Sequence, residues 1–444
     1  MKPLQITWRT TAFSRIILRW GSNRKYQDLW FTCGLYVTLA LAPLAIALLI
    51  FAVAQVTVTP SSSTENYIME PIIPGVNLPA SEMGYYSATL VVCSVIHELG
   101  HALASVKEDV HIINVGLNVF FVVPIAFVSL NSDDLQKVGP WKSLKIFCAG
   151  VWHNVVLSLL AYLVYLCLPF VLSVLFATGK GVTVTEMTEY SPLIGANGLF
   201  VDDKVTAIND CTVTDESTWN ECLNAARAKR PGFCVWGTTV NSLDESIVVR
   251  RNRNGELECC DPGKESNVCF EYVGGDDGVL EIPPHVCLPV RPVVRHTRTF
   301  CEDSGHCERN FYCLRPILHN NTNMFKVSCA GKDVIYIGYA GDIQQTVRVS
   351  SYISKYHSVS TLVPDVIEKF LKYLVTFSLG LAFVNVIPCV AMDGYFMLNS
   401  LLQIWCGRSF HTNATYFSVS LIVPLCGTLM LVILIICTLW SYLK

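Results

Sequence analysis

Two histidines and a glutamate lie close together in an almost uncharged stretch of this chain. The sequence His-Glu-Leu-Gly-His runs from His97 to His101, and Glu98 is the only charged residue between Gly84 and Val106. Residues four apart share one face of a helix, so the two imidazoles can bind a single zinc ion. The glutamate between them can act as a general base towards a zinc-bound water. A carboxylate in so apolar a segment is costly and usually functional, so the pattern predicts peptide hydrolysis inside a bilayer.

A third ligand must come from elsewhere, because catalytic zinc usually takes three protein ligands and a water. The best candidate is Asp393, an acidic residue in an apolar run that is preceded by Pro388 and followed by Gly394. A competing interpretation is a carboxylate at the start of a helix, where the helix dipole favours negative charge. Beside a histidine pair in an apolar segment, the ligand interpretation is the better supported of the two.

The composition indicates a polytopic α-helical membrane protein. Of the 444 residues, 52% are apolar and 15% are charged, and the mean hydropathy is +0.43. An ordinary soluble domain has about 25% charged residues. The net charge of −3 gives no electrostatic support for nucleic-acid binding. Most charged residues fall within 178–366, which predicts one polar insert between membrane segments.

Charge placement suggests an orientation for the membrane segments. The first 28 residues are basic, residues 29–55 are long enough to span a bilayer as an uncleaved anchor, and residues 56–83 contain no Lys or Arg. The positive-inside rule therefore puts the N-terminus in the cytosol and the following loop in the lumen. The expected parts are a cytosolic N-terminus (1–28), an anchor (29–55), a catalytic membrane core (84–178), a luminal insert (179–364) and a C-terminal membrane core with the third zinc ligand (365–444).

Within the catalytic core, the stretch from His111 to Leu130 predicts a re-entrant β-hairpin. It is apolar but interrupted by Gly116, Asn118 and Pro124, and irregular backbone survives in lipid only where protein or water satisfies it. The edge of such a hairpin could hold an extended substrate strand through main-chain hydrogen bonds. The alternative is that the hairpin only seals the helix bundle.

The insert combines many cysteines with a strand-rich pattern. Eleven of the nineteen cysteines lie between Cys211 and Cys329 without a Cys-x-x-Cys pair, which predicts disulfides in an oxidising compartment and at least one unpaired thiol. The other eight lie in or beside apolar segments, as small buried hydrophobes do. Residues 181–222 look like the core of a PDZ domain. Glycosylation sequons occur at Asn320 and Asn413.

Taken together, three motifs resemble the site-2 protease family of intramembrane zinc metalloproteases. They are the segments His97 to His101, Phe147 to Asn154 (Phe-Cys-Ala-Gly-Val-Trp-His-Asn) and Asn385 to Gly394 (Asn-x-x-Pro-x-x-x-x-Asp-Gly). The resemblance covers nearly the whole chain and departs from bacterial relatives only by apolar substitutions near Asp393. It implies one zinc ion per chain.

The resemblance also implies roles for individual residues. His97, His101 and Asp393 would bind the zinc ion, and Glu98 would be the catalytic base. Asn154 would lie near the active centre without binding metal. Its alternative role is an ordinary hydrogen bond between helices.

Two more polar residues remain open to both interpretations. Asn385 lies eight residues before Asp393 and could hydrogen-bond an unwound substrate segment, or simply another helix. His153 as a fourth ligand is disfavoured, because three protein ligands suffice for catalysis.

The family further implies an intramembrane endopeptidase of the endoplasmic reticulum or Golgi. Its expected partners are the lipid bilayer and single-span transcription factor precursors, including sterol regulatory element-binding proteins and a stress sensor of the unfolded-protein response. Cleavage would follow a first luminal cut, with the PDZ-like insert excluding bulky substrates. A metal transporter and a non-catalytic binding protein are the rival functions.

Overall fold

The structure of this chain is a computed structural model that describes most residues. Those residues are 5–12, 14–21, 24–58, 80–120, 123–228, 230–251, 257–261, 263–264, 266–274, 284–297, 299–318, 322–356, 359–406 and 414–443. They form two compact units, one made of residues 1–168 and 367–444 (the membrane unit) and one made of residues 169–366 (the insert unit). The sequence analysis placed the insert at 179–364, within a few residues of these limits at its C-terminal end and about ten at its N-terminal end.

The elements are numbered along the chain. The α-helices are α1 Ser14–Gly21, α2 Arg24–Val58, α3 Met83–Lys107, α4 Ser132–Lys137, α5 Pro140–Leu172, α6 Glu216–Ala228, α7 Gly237–Leu243, α8 Val290–His296, α9 Ala340–Thr346, α10 Leu362–Val386, α11 Asp393–Cys406 and α12 Ala414–Leu443. The strands are β1 Gln5–Thr10, β2 Ile112–Phe120, β3 Val123–Leu130, β4 Phe176–Ala177, β5 Val182–Met187, β6 Lys204–Ile208, β7 Cys211–Thr212, β8 Gly232–Trp236, β9 Arg250–Arg251, β10 Leu257–Glu258, β11 Asn267–Tyr272, β12 His285–Pro289, β13 Phe300–Cys301, β14 Phe311–Pro316, β15 Asn323–Cys329, β16 Lys332–Gly338, β17 Val347–Ser350 and β18 Ile353–Ser354.

Four helices among the described residues are long and apolar enough to cross a bilayer. They are Tyr26–Val56, Met83–Lys107, Pro140–Leu172 and Tyr416–Trp440. This confirms the prediction of a polytopic membrane protein. Helix α10 lies largely in the expected C-terminal membrane core (365–444) but is not among these four. Helix α11 has 14 residues and is therefore about 21 Å long, too short to cross the hydrocarbon core alone.

Buried hydroxyl groups join the helices of the membrane unit. Thr38 of α2 donates to the carbonyl of Cys148 in α5 at 3.4 Å. Ser378 of α10 donates to the carbonyl of Asn154 in α5 at 2.9 Å. Without water, such bonds satisfy polar groups that hydrocarbon cannot. They fix α5 between α2 and α10, and α5 is the helix that faces the two histidines of α3.

The predicted hairpin exists, and a third strand that sequence analysis missed joins it. Strands β2 and β3 pair antiparallel, and β1 pairs antiparallel with β2 to give the order β1-β2-β3. Residues 5–10 lie in the basic segment that we interpreted as a cytosolic N-terminus. Gly116 makes the third strand possible, because a Cβ there would lie 2.0 Å from the carbonyl oxygen of Trp8.

The insert unit contains two larger sheets. One has the order β16-β15-β6-β5-β17, with β7 paired to β6, and helix α6 packs its buried side chains into the same core. The other has the order β12-β11-β14-β8-β13, with its own core. The segment that we compared with a PDZ core, residues 181–222, therefore supplies β5, β6, β7 and the first half of α6.

Ten of the eleven insert cysteines form disulfides, as predicted. The pairs are Cys211–Cys222, Cys234–Cys307, Cys259–Cys269, Cys260–Cys287 and Cys301–Cys313. Cys329 is the remaining free thiol, and burial, helped by nearby Asp203, raises its pKa to about 12. The two sequon asparagines, Asn320 and Asn413, lie outside the described residues.

Candidate metal centre

Helix α3 holds both predicted histidines in the interior of the membrane unit. The side chains of His97 and His101 lie on one face, one turn apart, and the residues are only 5% and 6% exposed. Their Nε2 atoms are 3.1 Å apart. The i,i+4 spacing that indicated a shared ligand therefore brings both imidazoles to one point.

The connection between α10 and α11 carries Asp393 to that point. Ala391 takes a left-handed backbone conformation with φ 69°, which reverses the chain before α11 begins at Asp393. The next residue must be small, because a Cβ at Gly394 would lie 2.2 Å from the carbonyl oxygen of Ile387. The tight turn explains why Asp393 can be both a helix start and a member of the histidine cluster.

Three side chains from two distant parts of the chain thus converge. The Oδ2 atom of Asp393 lies 2.9 Å from Nε2 of His97 and 3.2 Å from Nε2 of His101. The three ligand atoms form one of the groups in the described residues that could hold a metal ion. The two sequence interpretations of Asp393 are therefore compatible, since it starts a helix and also meets the histidines.

Hydrogen bonds fix the tautomer of His101. Its Nδ1 lies 2.8 Å from the carbonyl oxygen of Ile146 in α5. A carbonyl can only accept, so Nδ1 carries the proton and Nε2 offers its lone pair to the cluster. This is the arrangement of a metal-binding histidine whose second nitrogen is held by a backbone carbonyl.

The partner of His97 is Asn154, one of the residues singled out from the sequence. The amide nitrogen of Asn154 lies 3.2 Å from Nδ1 of His97, and the amide oxygen is buried without a partner among the described residues. Because amide nitrogen and oxygen are distinguished only by their hydrogen bonds, rotating the amide presents the oxygen to a protonated Nδ1. That rotation leaves Nε2 of His97 unprotonated as a ligand, and it puts the amide nitrogen where the oxygen now lies without a partner among the described residues.

These features fit a zinc ion. Zinc–nitrogen bonds of about 2.0–2.1 Å in a tetrahedron place ligand atoms roughly 3.3–3.4 Å apart, close to the 2.9–3.2 Å observed here. Space is reserved by Gly150 of α5, where a Cβ would lie 2.3 Å from Nε2 of His101. Two imidazoles and one carboxylate also match the donor set of a catalytic zinc site.

The side chain of Glu98 takes no place in the cluster of ligand atoms. Its Oε2 atom accepts a hydrogen bond of 2.9 Å from the backbone N–H of Val128 in β3. The hairpin thus holds the carboxylate that follows the first histidine. A charged hydrogen bond of this kind keeps the group oriented in an apolar interior.

The two other sequence candidates have different surroundings. Asn385, in the last turn of α10, is buried but makes no side-chain hydrogen bond to another described residue, and its role stays a prediction. His153 donates from Nδ1 to the carbonyl of Ala149 in its own helix at 2.7 Å. This bond has the same form as that of His101, but His153 is not a member of the His97, His101 and Asp393 group, and its exclusion as a ligand stays a prediction.

Three further residues that support the cluster were not predicted from the sequence. Gly150 leaves room for the imidazoles, the carbonyl of Ile146 orients His101, and Ser94 of α3 contacts the hairpin. A backbone carbonyl leaves no signal in the sequence. Ser94 did leave one, because it lies four residues before Glu98 and so shares its helix face.

Comparison with known proteins agrees with this geometry. The model of peptidase family M50 matches residues 85–429, a range that contains His97, His101 and Asp393. A curated relative, the membrane-bound transcription factor site-2 protease homolog of Arabidopsis thaliana, is 23% identical over 385 residues, covering 74% of this chain and 72% of the relative. These matches confirm the resemblance inferred from the motifs: the chain belongs to peptidase family M50, a family of zinc metalloproteases.

Proposed function

We propose that this protein is a zinc-dependent intramembrane endopeptidase. The observation that carries the proposal is the convergence of His97, His101 and Asp393 within a unit of apolar helices, with Glu98 beside the cluster on the same helix. A metalloprotease needs three ligands, a base and access for water, and the first two are present in the described residues. The apolar surroundings indicate that the scissile bond also lies at membrane depth.

The residues divide the chemistry between them. A zinc ion held by the three ligands would polarise the scissile carbonyl and activate a water. The carboxylate of Glu98 would take the proton of that water and deliver it to the leaving nitrogen. The carbonyl of Ile146 and the amide of Asn154 keep both imidazoles in the ligand tautomer. Asn385 would hydrogen-bond an unwound substrate segment.

For the substrates, we infer membrane-anchored transcription factor precursors, cut within a membrane-spanning segment after a first luminal cleavage. Support comes from the relative, whose name refers to a membrane-bound transcription factor. A helical substrate hides its peptide bonds in its own hydrogen bonds, so local unwinding must precede cleavage. Sterol-responsive and stress-responsive precursors in the endoplasmic reticulum or Golgi are the expected class.

The insert unit supports a luminal location and a filtering role. Its five disulfides are typical of an oxidising compartment, which favours the lumen over the cytosol. We propose that its PDZ-like part, built from β5–β7 and α6, excludes substrates with a bulky luminal domain. This explains why a first luminal cut would be required.

The decisive experiment replaces Glu98 by Gln in the purified, reconstituted protein. The Glu98→Gln side chain keeps the size and the acceptor for Val128 but cannot accept a proton from water. Cleavage of a single-span precursor should fall by about 10²–10⁴-fold, the usual contribution of a general base. Zinc content, measured by mass spectrometry of the metal, should stay at one per chain.

A matched control is Glu108→Gln at the C-terminal end of α3. Glu108 is also buried and is paired with Lys142 at 3.2 Å, but it lies outside the metal centre. This variant should keep cleavage. A wild-type protein that moves metal across the bilayer, and does so equally well after Glu98→Gln, would instead indicate a transporter.

A further inference from the structure

Two side chains of α3 act together as hydrogen-bond acceptors for the outer edge of the hairpin sheet. The N–H of Ala126 donates to Oγ of Ser94 at 3.1 Å, and the N–H of Val128 donates to Oε2 of Glu98 at 2.9 Å. Strand β3 is the edge strand on this side of the sheet. The helix therefore occupies the position in which a further strand would pair.

The match follows from the repeats of the two elements. Residues four apart on a helix are separated by about 6.0 Å along its axis. Residues two apart on a strand are separated by about 6.6–6.8 Å, and their N–H groups point to the same side. An acceptor at every fourth residue of α3 can consequently meet every second N–H of β3.

The same register explains the proline in the hairpin. Pro124 lies two residues before Ala126, so it occupies the next outward-facing position of β3. The opposing position on α3, four residues before Ser94, is Leu90, which offers no acceptor. Because proline has no backbone N–H, position 124 has no donor that needs a hydrogen-bond acceptor. In lipid, an unsatisfied backbone N–H would cost several kcal/mol.

From this register we propose that Ser94 is a positioning residue for the reaction. Its role is to fix where β3 lies along α3, so that the N–H of Val128 meets the carboxylate of Glu98. Ser94 suits this task because its own hydroxyl donates to the carbonyl of Val91 at 3.1 Å, which turns a lone pair towards the strand. The short serine side chain sets the register, whereas the longer Glu98 side chain moves a proton. The inference rests on the proposed function of Glu98.

The first test compares Ser94→Ala with Ser94→Thr. Alanine removes the acceptor, and threonine keeps it. We expect Ser94→Ala to lower kcat about tenfold, since small misplacements of catalytic groups cost about that much or more, while KM changes by less than about twofold. Zinc should stay at one per chain, and Ser94→Thr should restore kcat to within about threefold.

Thr89→Val on the same helix is the matched control. Thr89 is fully buried, and its hydroxyl donates only to carbonyls of its own helix among the described residues, at 2.7 and 3.1 Å. It should leave kcat unchanged. An unchanged kcat in Ser94→Ala would overturn the proposal, because Ser94 would then have no role in the reaction. A loss of zinc together with kcat would also overturn it, because Ser94 would then only support the structure of the metal site.

A double-mutant cycle tests the hydrogen bond itself. Ala126→Pro removes the donor, and an edge strand tolerates proline at an outward position. Once the donor is absent, adding Ser94→Ala should change kcat by less than about twofold. Full additivity of the two substitutions would show that the serine acts by another route.

Hydrogen exchange separates this inference from the proposed function. Deuterium uptake by peptides covering β3 should rise in Ser94→Ala and not in Thr89→Val, with no substrate present. If uptake rises in Ser94→Ala but the wild-type protein cleaves no precursor, the proposed protease function is wrong and the proposed register of β3 on α3 stands. If the wild-type protein is active but uptake is unchanged in Ser94→Ala, the proposed register is wrong and the protease function stands.

Discussion

The buried cluster of the membrane unit and the surface of the insert unit hold polar groups in different ways. In the membrane unit, His97, His101 and Asn154 are buried, and each is held by a specific partner. In the insert unit, many charges are paired at the surface, as in the exposed Arg348–Glu186 pair at 3.6 Å. Exposed pairs contribute little to stability. Precise placement therefore matters in the first unit far more than in the second.

Cysteines show the same contrast. The membrane unit contains eight free thiols, among which Cys93, Cys148 and Cys389 are buried as small apolar side chains. The insert unit joins ten of its eleven cysteines covalently. Packing and buried hydrogen bonds hold one unit, and crosslinks constrain the other. Small steric changes should consequently be severe in the first, and loss of crosslinks should be severe in the second.

The largest effect on zinc binding should come from one added methyl group in the membrane unit. In Gly150→Ala, the new Cβ would lie 2.3 Å from Nε2 of His101 and 2.8 Å from Cε1 of His97. The imidazoles must move, so we expect zinc affinity to fall by at least about tenfold, the low end of what disturbed ligand support costs. Metal titration of the purified variant measures this.

Gly380→Ala in α10 is the steric control, because a Cβ there would have no atom of the described residues within 4 Å apart from its chain neighbours and its own helix backbone. It should keep zinc and activity and gain roughly 0.5–1 kcal/mol from helix propensity. Equal zinc affinity in the two alanine variants would contradict the idea that Gly150 reserves space for the metal ligands.

An effect on stability, confined to the insert unit, should follow removal of a disulfide. Cys234 and Cys307 are 73 residues apart, and replacing both by Ala should cost about 4 kcal/mol of unfolding free energy in the chain-entropy description. Replacing Cys211 and Cys222, only 11 residues apart, should cost about 3 kcal/mol. Denaturant unfolding of the two double variants measures the difference.

Zinc content should remain at one per chain in both disulfide variants, since neither cysteine pair lies in the membrane unit. Loss of zinc on removing the long-range crosslink would show that the comparison between the units is wrong, and that the insert supports the metal centre.

Much of the candidate metal centre was predictable because its signals are local. The helical spacing of His97 and His101 can be recognised without knowledge of the tertiary structure. An aspartate in an apolar run is also easy to recognise, because a charged group in a membrane segment costs free energy and is therefore usually functional. The contact between Asn154 and His97 was not predictable, because it depends on how α5 packs against α3. The sequence showed only that Asn154 is polar in an apolar helix, which is equally typical of an ordinary interhelical bond.

The parts of the fold that were predicted are those for which a local sequence pattern has a direct physical explanation. Interruption by Gly116 and Pro124 indicated the hairpin, and an odd cysteine count indicated a free thiol. Strand β1 was missed because six residues in a basic segment gain order only by pairing with β2. The disulfide pairing could not be predicted either, because the spacing of cysteines in the sequence does not determine which of them form bonds.

The smallest predicted effect tests a single surface contact of the insert unit. Asp215 precedes α6, accepts from the N–H of Thr218 at 2.9 Å, and donates its own N–H to Oγ1 of Thr218 at 2.9 Å, a reciprocal cap. The hydrogen bond from the Thr218 backbone lowers the pKa of Asp215 to about 2. Because the folded pKa lies below its ordinary value of 3.8, the stabilisation is present above about pH 4 and is lost as the pH falls towards 2.

Asp215→Ala should therefore cost about 1 kcal/mol at pH 7 and almost nothing at pH 2. Unfolding of the insert unit measured across this range checks the sign, and a cost independent of pH would mean that the carboxylate does not cap the helix.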